Sequence, residues 1–238
     1  MPIRKHVRTC VILALITLDI SVLAIGCAPL QHRIVASATY TSALVQVDRP
    51  QETRDRYGEV VTVKPAEGSK YLYEDQLLSA VFYVTQNRIN FQFQNKTDHS
   101  LKIIWDETAF IDQTGKSGRV AHQGVKYVDR NASQPPSVVP AHGTLEDFVL
   151  PTDRVYYREG YYGQYFSNPG GWEELGLLQP SSGLLASNDT TSLAEFRSLA
   201  SSNKGKRFGL LMPIEIEGVA NEYTFWFEIQ NVSVTTNR

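Results

Sequence analysis

Residues 77–112 constrain the fold most strongly, because apolar and polar side chains alternate along three successive runs. The apolar members of these runs are Ala80, Phe82, Val84, Ile89, Phe91, Phe93, Leu101, Ile103 and Trp105. This period-two pattern is typical of half-buried antiparallel strands, since successive side chains point to opposite faces of a sheet. Turn-forming residues at 86–87 and 95–100 separate the runs. The pattern predicts a β-meander that forms one wall of a hydrophobic core.

Later runs extend this pattern. Residues 207–217 and 222–234 both alternate and are joined by a short polar link, which predicts an antiparallel hairpin. Pro213 cannot donate to a strand ladder, which indicates an edge position or a bulge. Shorter alternating or β-branched runs occur at 59–64, 108–112, 119–122, 125–128 and 144–150. A capping-box pattern at 192–195 predicts a short helix over 193–202.

These elements predict a fold that is mainly all-β. About eight to ten antiparallel strands with one short helix favour a β-sandwich. An immunoglobulin-like arrangement is one form of that fold, although the Cys…Trp…Cys signature is absent, and a barrel is the alternative. Trp105 and Phe225 are expected to be core residues of facing or neighbouring strands.

Charge and cysteine content exclude several classes of function. Residues 1–26 have the character of a removable leader, and the remaining chain has 20 basic and 24 acidic residues, a formal charge of −4. Such a chain lacks the basic surface that nucleic acid requires, so no nucleic-acid partner is predicted. The two cysteines, Cys10 and Cys27, both lie near the start. The predicted domain therefore has neither a disulfide nor a thiolate metal site.

The leader has the tripartite layout of a secretory signal. Basic residues at 4, 5 and 8 precede apolar runs at 11–18 and 20–25. The end of the leader, Leu23-Ala24-Ile25-Gly26-Cys27, resembles the lipobox of bacterial lipoproteins. The resemblance implies cleavage before Cys27 and attachment of lipid, palmitate included, to that cysteine. The protein would then bind the membrane through the lipid on Cys27.

Three other interpretations of the leader stay open. Ala24-Ile25-Gly26 also suits ordinary signal peptidase, which would release a free secreted protein. Ala36-Ser37-Ala38 offers a later cut of the same kind. Residues 9–26 could instead remain as a membrane helix, although Asp19 makes that segment marginal for spanning. Within the lipoprotein interpretation, Ala28 stands where an aspartate would mark inner-membrane retention. This residue favours the outer membrane, with the protein facing the periplasm.

The predicted organisation has three parts. Residues 1–26 are the signal peptide, 27–56 are the lipidated N-terminus and a tether, and 57–238 are a single β-sandwich domain. The tether prediction rests on the mixture of proline, glutamine, serine and charged residues over 28–56. A first strand at 40–47 is an open alternative within it.

Residues 151–190 interrupt the strand pattern, and we predict a long aromatic loop there. Within 155–172 the rings are Tyr156, Tyr157, Tyr161, Tyr162, Tyr165, Phe166 and Trp172. Amphipathic rings suit the recognition of a glycan or of an envelope protein. The alternative is a lid packed over one end of the sandwich. In a binding loop we expect a split, with some rings buried as anchors and Tyr161, Tyr162 and Trp172 exposed.

Catalytic chemistry has weaker support. Asp106, Glu107, Asp112 and His122 are the polar cluster nearest the core strands, but adjacent carboxylates on a strand point to opposite faces. No nucleophile motif, cofactor loop or metal-ligand spacing occurs, so no catalytic residue, cofactor or metal is predicted. The favoured function is a lipid-anchored cell-envelope protein with a non-enzymatic binding or assembly role. A glycan-binding module that uses loop 155–172 and an envelope hydrolase are the alternatives.

Overall fold

The computed structural model describes residues 33–49, 61–65, 70–163, 167–186 and 189–237. The strands in these ranges are β1 Arg33–Asp48, β2 Val61–Pro65, β3 Lys70–Glu74, β4 Leu78–Val84, β5 Ile89–Asn95, β6 Leu101–Ile103, β7 Ala109–Ile111, β8 Ser117–His122, β9 Ser137–Val139, β10 Thr144–Pro151, β11 Val155–Arg158, β12 Tyr161–Tyr162, β13 Ser167–Asn168, β14 Gly171–Glu174, β15 Ser182–Ala186, β16 Arg207–Ile216 and β17 Val219–Asn237. The helix α1 spans Thr190–Ser201, and 3-10 helices span Trp105–Glu107, Tyr127–Asp129 and Thr152–Arg154.

The fold is mainly antiparallel β, as predicted, and is built on one large sheet of thirteen strands. Its strand order is β15-β1-β17-β16-β7-β8-β10-β5-β4-β3-β2, and β6 joins β16 to β9. Strand β8 links the two halves of the sheet, because its residues 117–119 pair with β7 and its residues 120–122 pair with β10. The two halves then face each other in a sandwich-like core, where the ring centroids of Phe82 and Phe225 lie 4.6 Å apart.

The alternating runs form the walls of this core. The runs of 77–112 become β4, β5 and β6, whose inward apolar positions are buried except for the half-buried Val84. Strands β4 and β5 pair with each other, but β6 pairs with β16 and β9. The predicted meander is therefore wrong for its third run, which lies in the other half of the sheet. Trp105 and Phe225 are both at most 1% exposed, which confirms them as core residues. Trp105 lies in a 3-10 helix rather than in a strand, and its ring stacks on the His122 ring.

The predicted hairpin is present as β16 and β17, which pair from Arg207 with Glu228 to Ile216 with Val219. The prediction for Pro213 is wrong, because this residue lies neither in an edge strand nor at a bulge of the β16–β17 ladder. On the side of β16 away from β17, β7 pairs with residues 209–211 and β6 pairs with 214–216. Pro213 lies where one partner ends and the other begins, so its missing N–H breaks no ladder bond.

Arg33–Asp48, within the predicted tether, forms the 16-residue strand β1. The alternative of a first strand at 40–47 is therefore confirmed, and the strand starts seven residues earlier than expected. This strand pairs with β17 along most of its length and with β15 at its start. The alternation of buried and exposed residues in this strand is hard to see in the sequence. Its buried positions include Ala36 and Ala38, whose side chains differ little in hydrophobicity from their polar neighbours. Residues 27–32 and 50–56, the rest of that segment, lie outside the described residues.

Helix α1 covers the beginning of β1. It starts earlier than predicted, because Asp189 rather than Ser192 is its N-cap and accepts a hydrogen bond from the Ser192 amide at 2.9 Å. Phe196 and Ala200 of the helix form a second small core with Ala36 and Ala38. The strands β15, β1 and β17 thus carry a separate apolar face beyond the main core.

A buried carboxylate ties several strands together inside the main core. Asp75 accepts hydrogen bonds from the hydroxyls of Tyr73 at 2.9 Å and Tyr223 at 3.0 Å. The guanidinium of Arg49 lies 3.1 Å from the same oxygen, and both charged side chains are almost inaccessible to solvent. Burial raises the pKa of both tyrosines above the ordinary value, and the Asp75 charge raises it further.

Candidate functional site

The aromatic segment is a β-structured arm rather than the structureless loop that the sequence predicts. We define the aromatic arm as residues 155–174. At its base β11 pairs with β14, and further out β12 pairs with β13. Tyr165 and Phe166 lie outside the described residues. The arm's four strands form no ladder with the large sheet in the described part of the chain.

Two glycines allow the strands of the arm to approach closely. A Cβ atom on Gly160 would lie 2.6 Å from the backbone nitrogen of Gly170. A Cβ atom on Gly170 would lie 2.6 Å from the Tyr157 hydroxyl. Real Cβ atoms do not approach other heavy atoms so closely, so a side chain at either position would force the strands apart. Glycine at both positions therefore keeps the arm narrow between its two paired parts.

The described rings of the arm are all well exposed. Their exposed fractions are 40% for Tyr156, 54% for Tyr157, 58% for Tyr161, 79% for Tyr162 and 39% for Trp172. Tyr161, Tyr162 and Trp172 are exposed as predicted. The expected split is not found among the described rings, however, because Tyr156 and Tyr157 are exposed as well. These five rings do not form a buried lid.

One face of the arm carries Tyr157 and Trp172, which lie opposite each other in the ladder. Their ring centroids are 5.4 Å apart in an edge-to-face contact, and Tyr127 approaches Trp172 edge-on at 6.0 Å. The guanidinium carbon of Arg130 lies 5.0 Å from the centroid of the Trp172 ring, over its face. The indole is therefore held from several sides and yet retains solvent access.

The other face of the arm is polar at its centre. The Tyr156 hydroxyl donates a 2.6 Å hydrogen bond to the Glu173 carboxylate, which also accepts one from the guanidinium of Arg158. Hydrogen bonds from Tyr156 and Arg158 hold the pKa of Glu173 below its usual range. The arm thus presents an aromatic face and a face with a fixed charge pair.

Glu174 anchors the base of the arm to the sheet. Its carboxylate accepts hydrogen bonds from Asn87, Arg88 and Tyr127, with Arg88 Nε at 3.1 Å. Burial raises the pKa of Glu174, but the hydrogen bonds from Arg88 and Tyr127 lower it more, so the net shift is downward. The Arg88 guanidinium also lies 4.2 Å from the ring centroid of Phe148. These contacts give the exposed rings a fixed platform.

The second predicted cluster does not converge. Asp106 pairs with Arg119 at 2.8 Å, and Asp112 accepts hydrogen bonds from residues of its own turn, such as the Thr114 amide. His122 instead contacts Asp147, with 3.1 Å between Nδ1 and Oδ2. Its ring stacks on Trp105 with centroids 4.2 Å apart. Each of these groups has a structural partner, and they share no common point for a metal or substrate.

Within the described ranges, no group of three or more histidine, cysteine or acidic residues could hold a metal ion.

Asp147 was not identified from the sequence as the partner of His122. Asp147 lies in β10, where the alternation places a carboxylate on the buried face. An acidic residue at an inward position of a strand is the signal that could have identified it.

The predicted lipidation site cannot be placed, because Cys27 lies outside the described residues. Among the described residues, no helix is long and apolar enough to cross a membrane.

The comparisons with known proteins give no family. No protein-family model matches the chain, and no curated protein sequence matches it significantly. A solved structure described as a protein from Archaeoglobus fulgidus aligns with 82% of this chain and 98% of its own. Its sequence identity is 12% and its TM-score is 0.25. A superposition this weak does not indicate a shared fold.

Proposed function

We propose that this protein is a lipid-anchored envelope protein that binds another envelope protein through the aromatic arm, without catalysing a reaction. The observation that carries the proposal is the exposure of five aromatic side chains on one short hairpin. Exposed aromatic clusters of this kind usually mark interaction sites. Tyrosine, tryptophan and arginine, all present here, are the residues enriched at the energetic centres of protein interfaces.

The anchoring of the arm supports a recognition role. A flexible arm would lose conformational entropy on binding, whereas a fixed arm loses less. Glu174 fixes the base through Asn87, Arg88 and Tyr127. Beyond this base the rings of the arm extend into solvent, with Tyr162 the most exposed of them. The combination of a fixed base and accessible rings suits a preformed binding surface.

A protein partner is favoured over a sugar at the arm. Sugar stacking needs an open aromatic face, but Arg130 lies over the Trp172 ring. Tyr157 and Tyr127 approach Trp172 edge-on, so the surface is corrugated rather than flat. Adjacent tyrosines such as Tyr161 and Tyr162 point to opposite sides of the arm. This geometry suits insertion between side chains of a partner protein.

The lipid anchor is the part of the proposal that rests on sequence. The Leu23-Ala24-Ile25-Gly26-Cys27 resemblance to a lipobox supports acylation of Cys27, and a diacylated cysteine holds a protein stably on a membrane. Radiolabelled palmitate should enter the wild-type protein and should not enter the Cys27→Ser variant. Equal labelling of the two proteins would contradict the anchor.

The arm is tested with a triple variant in which Tyr161, Tyr162 and Trp172 become alanine. The full-length protein is crosslinked in intact cells, and its crosslinked partners are quantified. We expect the variant to lose its dominant crosslinked partner while its melting temperature stays within about 3 °C of wild type, since exposed residues contribute little to stability. A loss of partner accompanied by collapse of the melting temperature would contradict the proposal.

The matched control replaces three exposed apolar residues on other elements, Val138, Leu199 and Val219, with alanine. Their exposure resembles that of the arm residues, at 56%, 61% and 41%. This control should retain the partner. Equal loss of the partner in the two triple variants would show that the arm has no special role.

A further inference from the structure

A polar groove runs beside the first strand, away from the exposed rings of the arm. It consists of two adjacent concavities of about 390 Å³ and about 560 Å³. Thr39 and Gln86 line both of them. Each volume falls within the range of about 300–1,000 Å³ that is usual for small-molecule sites. The larger part lies between the middle of β1 and the turn that joins β4 to β5.

The larger part of the groove is polar but uncharged. Its hydrogen-bonding groups are the hydroxyls of Thr39, Thr41 and Ser42 and the amides of Gln86 and Asn231. No acidic, basic or histidine residue is among the described residues that line it. Within the described part of the chain, the side chains of Thr39, Thr41 and Asn231 make no hydrogen bond. These groups are available to a ligand.

The larger part of the groove also contains an exposed aromatic residue, Tyr83. Tyr83 lines the larger concavity and is 45% exposed, so its ring can cover the apolar face of a sugar. Gln86 holds the adjoining turn against β1, because its side-chain amide donates a 2.7 Å hydrogen bond to the Ala38 carbonyl. The turn and the strand therefore keep the two walls of the groove at a fixed separation.

We propose that this groove binds a neutral oligosaccharide. A sugar chain offers many hydroxyl groups, no charge and flat apolar ring faces. The groove presents the complementary set of uncharged donors and acceptors with one exposed aromatic ring. An anionic ligand would find no cation among the described residues that line the larger part. The described exposed rings of the arm do not line the groove. Glu174, at the base of the arm, lines the smaller part, but its carboxylate already accepts hydrogen bonds from Asn87, Arg88 and Tyr127. The inference therefore does not depend on the protein partner proposed for the exposed rings.

A peptide added as an extra strand is the competing occupant. At Ala38 the backbone N–H donates to the Ser181 carbonyl and the carbonyl accepts from Gln86. Beyond Ala38 the side of β1 away from β17 is not paired with β15, so a peptide could add there. However, the pairing of β1 with β17 shifts register between Thr41 and Ser42 and again between Leu44 and Gln46. Such irregularities bend a strand and are a common means of preventing strand addition. The groove is therefore better suited to a sugar than to a straight peptide strand.

The test is calorimetric titration of the full-length protein in a detergent that has no sugar head group. The probes are cellohexaose, maltohexaose and the hexamer of N-acetylglucosamine, with hexagalacturonate as the anionic comparison. We expect at least one neutral probe to bind with a Kd below about 1 mM, and hexagalacturonate to bind at least about tenfold more weakly. Failure of all three neutral probes to bind at about 10 mM would overturn the proposal.

Variants of residues that line the groove test where the sugar binds. The double change Thr39→Val with Thr41→Val and the single change Tyr83→Ala should each raise the Kd by about tenfold or more. Thr235→Val on β17 and Tyr162→Ala in the arm are the controls and should leave the Kd unchanged. Loss of sugar binding in Tyr162→Ala but not in the groove variants would overturn the proposal. So would groove-dependent binding of an extended threonine-valine hexapeptide when no neutral sugar binds.

Discussion

Two aromatic-rich regions of this protein, both made of β-strands, differ in where their rings lie. In β5, Phe91 and Phe93 are separated by Gln92, and both are buried. In β4 the rings of Phe82 and Tyr83 are adjacent, and only Phe82 is buried, while Tyr83 is 45% exposed. In the aromatic arm the pairs Tyr156-Tyr157 and Tyr161-Tyr162 are adjacent, and all four rings are exposed. Adjacent residues of a strand point to opposite faces. A strand of the large sheet therefore buries the rings on its covered face, whereas the arm exposes its described rings on both faces.

The largest expected effect is the loss of stability when a ring is removed from the core rather than from the arm. Phe225→Ala should lower the free energy of unfolding by about 3–5 kcal/mol, because it removes a fully buried ring that packs against Phe82 and Phe93. Tyr162→Ala should change it by no more than about 0.5 kcal/mol. Urea denaturation of both variants provides the measurement. Similar losses in the two variants would erase the distinction between core and arm.

Disrupting the buried charge network around Asp75 should lower the stability almost as much. Asp75→Asn removes the buried charge that lies 3.1 Å from the Arg49 guanidinium and accepts hydrogen bonds from Tyr73 and Tyr223, and we expect a loss of about 3 kcal/mol in the free energy of unfolding. Asp98→Asn is the control, because Asp98 forms an exposed pair with His142 and should contribute less than about 1 kcal/mol. An Asp75→Asn variant as stable as this control would show that the network does not stabilise the core.

A medium effect is expected at the base of the arm. Glu174→Gln removes a charge that accepts hydrogen bonds from Arg88 and Tyr127, which should cost about 1.5–3 kcal/mol at neutral pH. The pKa of Glu174 is lower in the folded state than in the unfolded state. Its contribution is therefore complete above the unfolded value of about 4.3 and is lost as the pH falls through the folded value.

Unfolding measurements from about pH 7 down to about pH 3 check this dependence. The difference in stability between wild type and Glu174→Gln should be constant at neutral pH and should shrink only in acid. Glu146→Gln, an exposed change on β10, should show no such difference. A gap that widens as the pH falls would mean that Glu174 is protonated in the folded protein.

The smallest effect is expected on the polar face of the arm. Tyr156→Phe removes the hydroxyl that donates to Glu173, but Arg158 still neutralises that carboxylate. We expect no measurable change in melting temperature and no loss of the arm's crosslinked partner. A clear fall in either would show that the polar face takes part in folding or binding.

The sequence predicts the main core well because its strands alternate large apolar and polar residues. Trp105, Phe225 and the β16–β17 hairpin follow directly from that alternation. The first strand is harder to recognise, since Ala36 and Ala38 fill its buried positions and contribute little hydrophobic contrast. Its place in the sheet depends on pairing with β17, which lies almost 200 residues later in the chain. No local pattern carries that information.

The strands of the arm are missed for a different reason. Their stability comes from cross-strand contacts such as Tyr157 with Trp172 and from the anchoring of Glu174, not from a buried face. Because both faces of the arm are exposed, hydrophobicity does not alternate with a period of two along its strands. Their sequence therefore resembles that of a loop. The pairs Asp75–Arg49 and His122–Asp147 form through tertiary contacts. The inward position of Asp147 in β10 marks it as a buried carboxylate, but the sequence does not show which residue it contacts.

The pairing of β1 with β17 also governs the order of folding. Val35 of the first strand lies opposite Asn237 of the last, so the central ladder joins the most distant parts of the described chain. Contacts of such high sequence separation make folding slow, because a long loop must close before they form. β17 is also the partner of β16, so a nascent chain that lacks it leaves two long strands open. The pairing of β1 and β16 through their shared neighbour therefore waits until β17 is available.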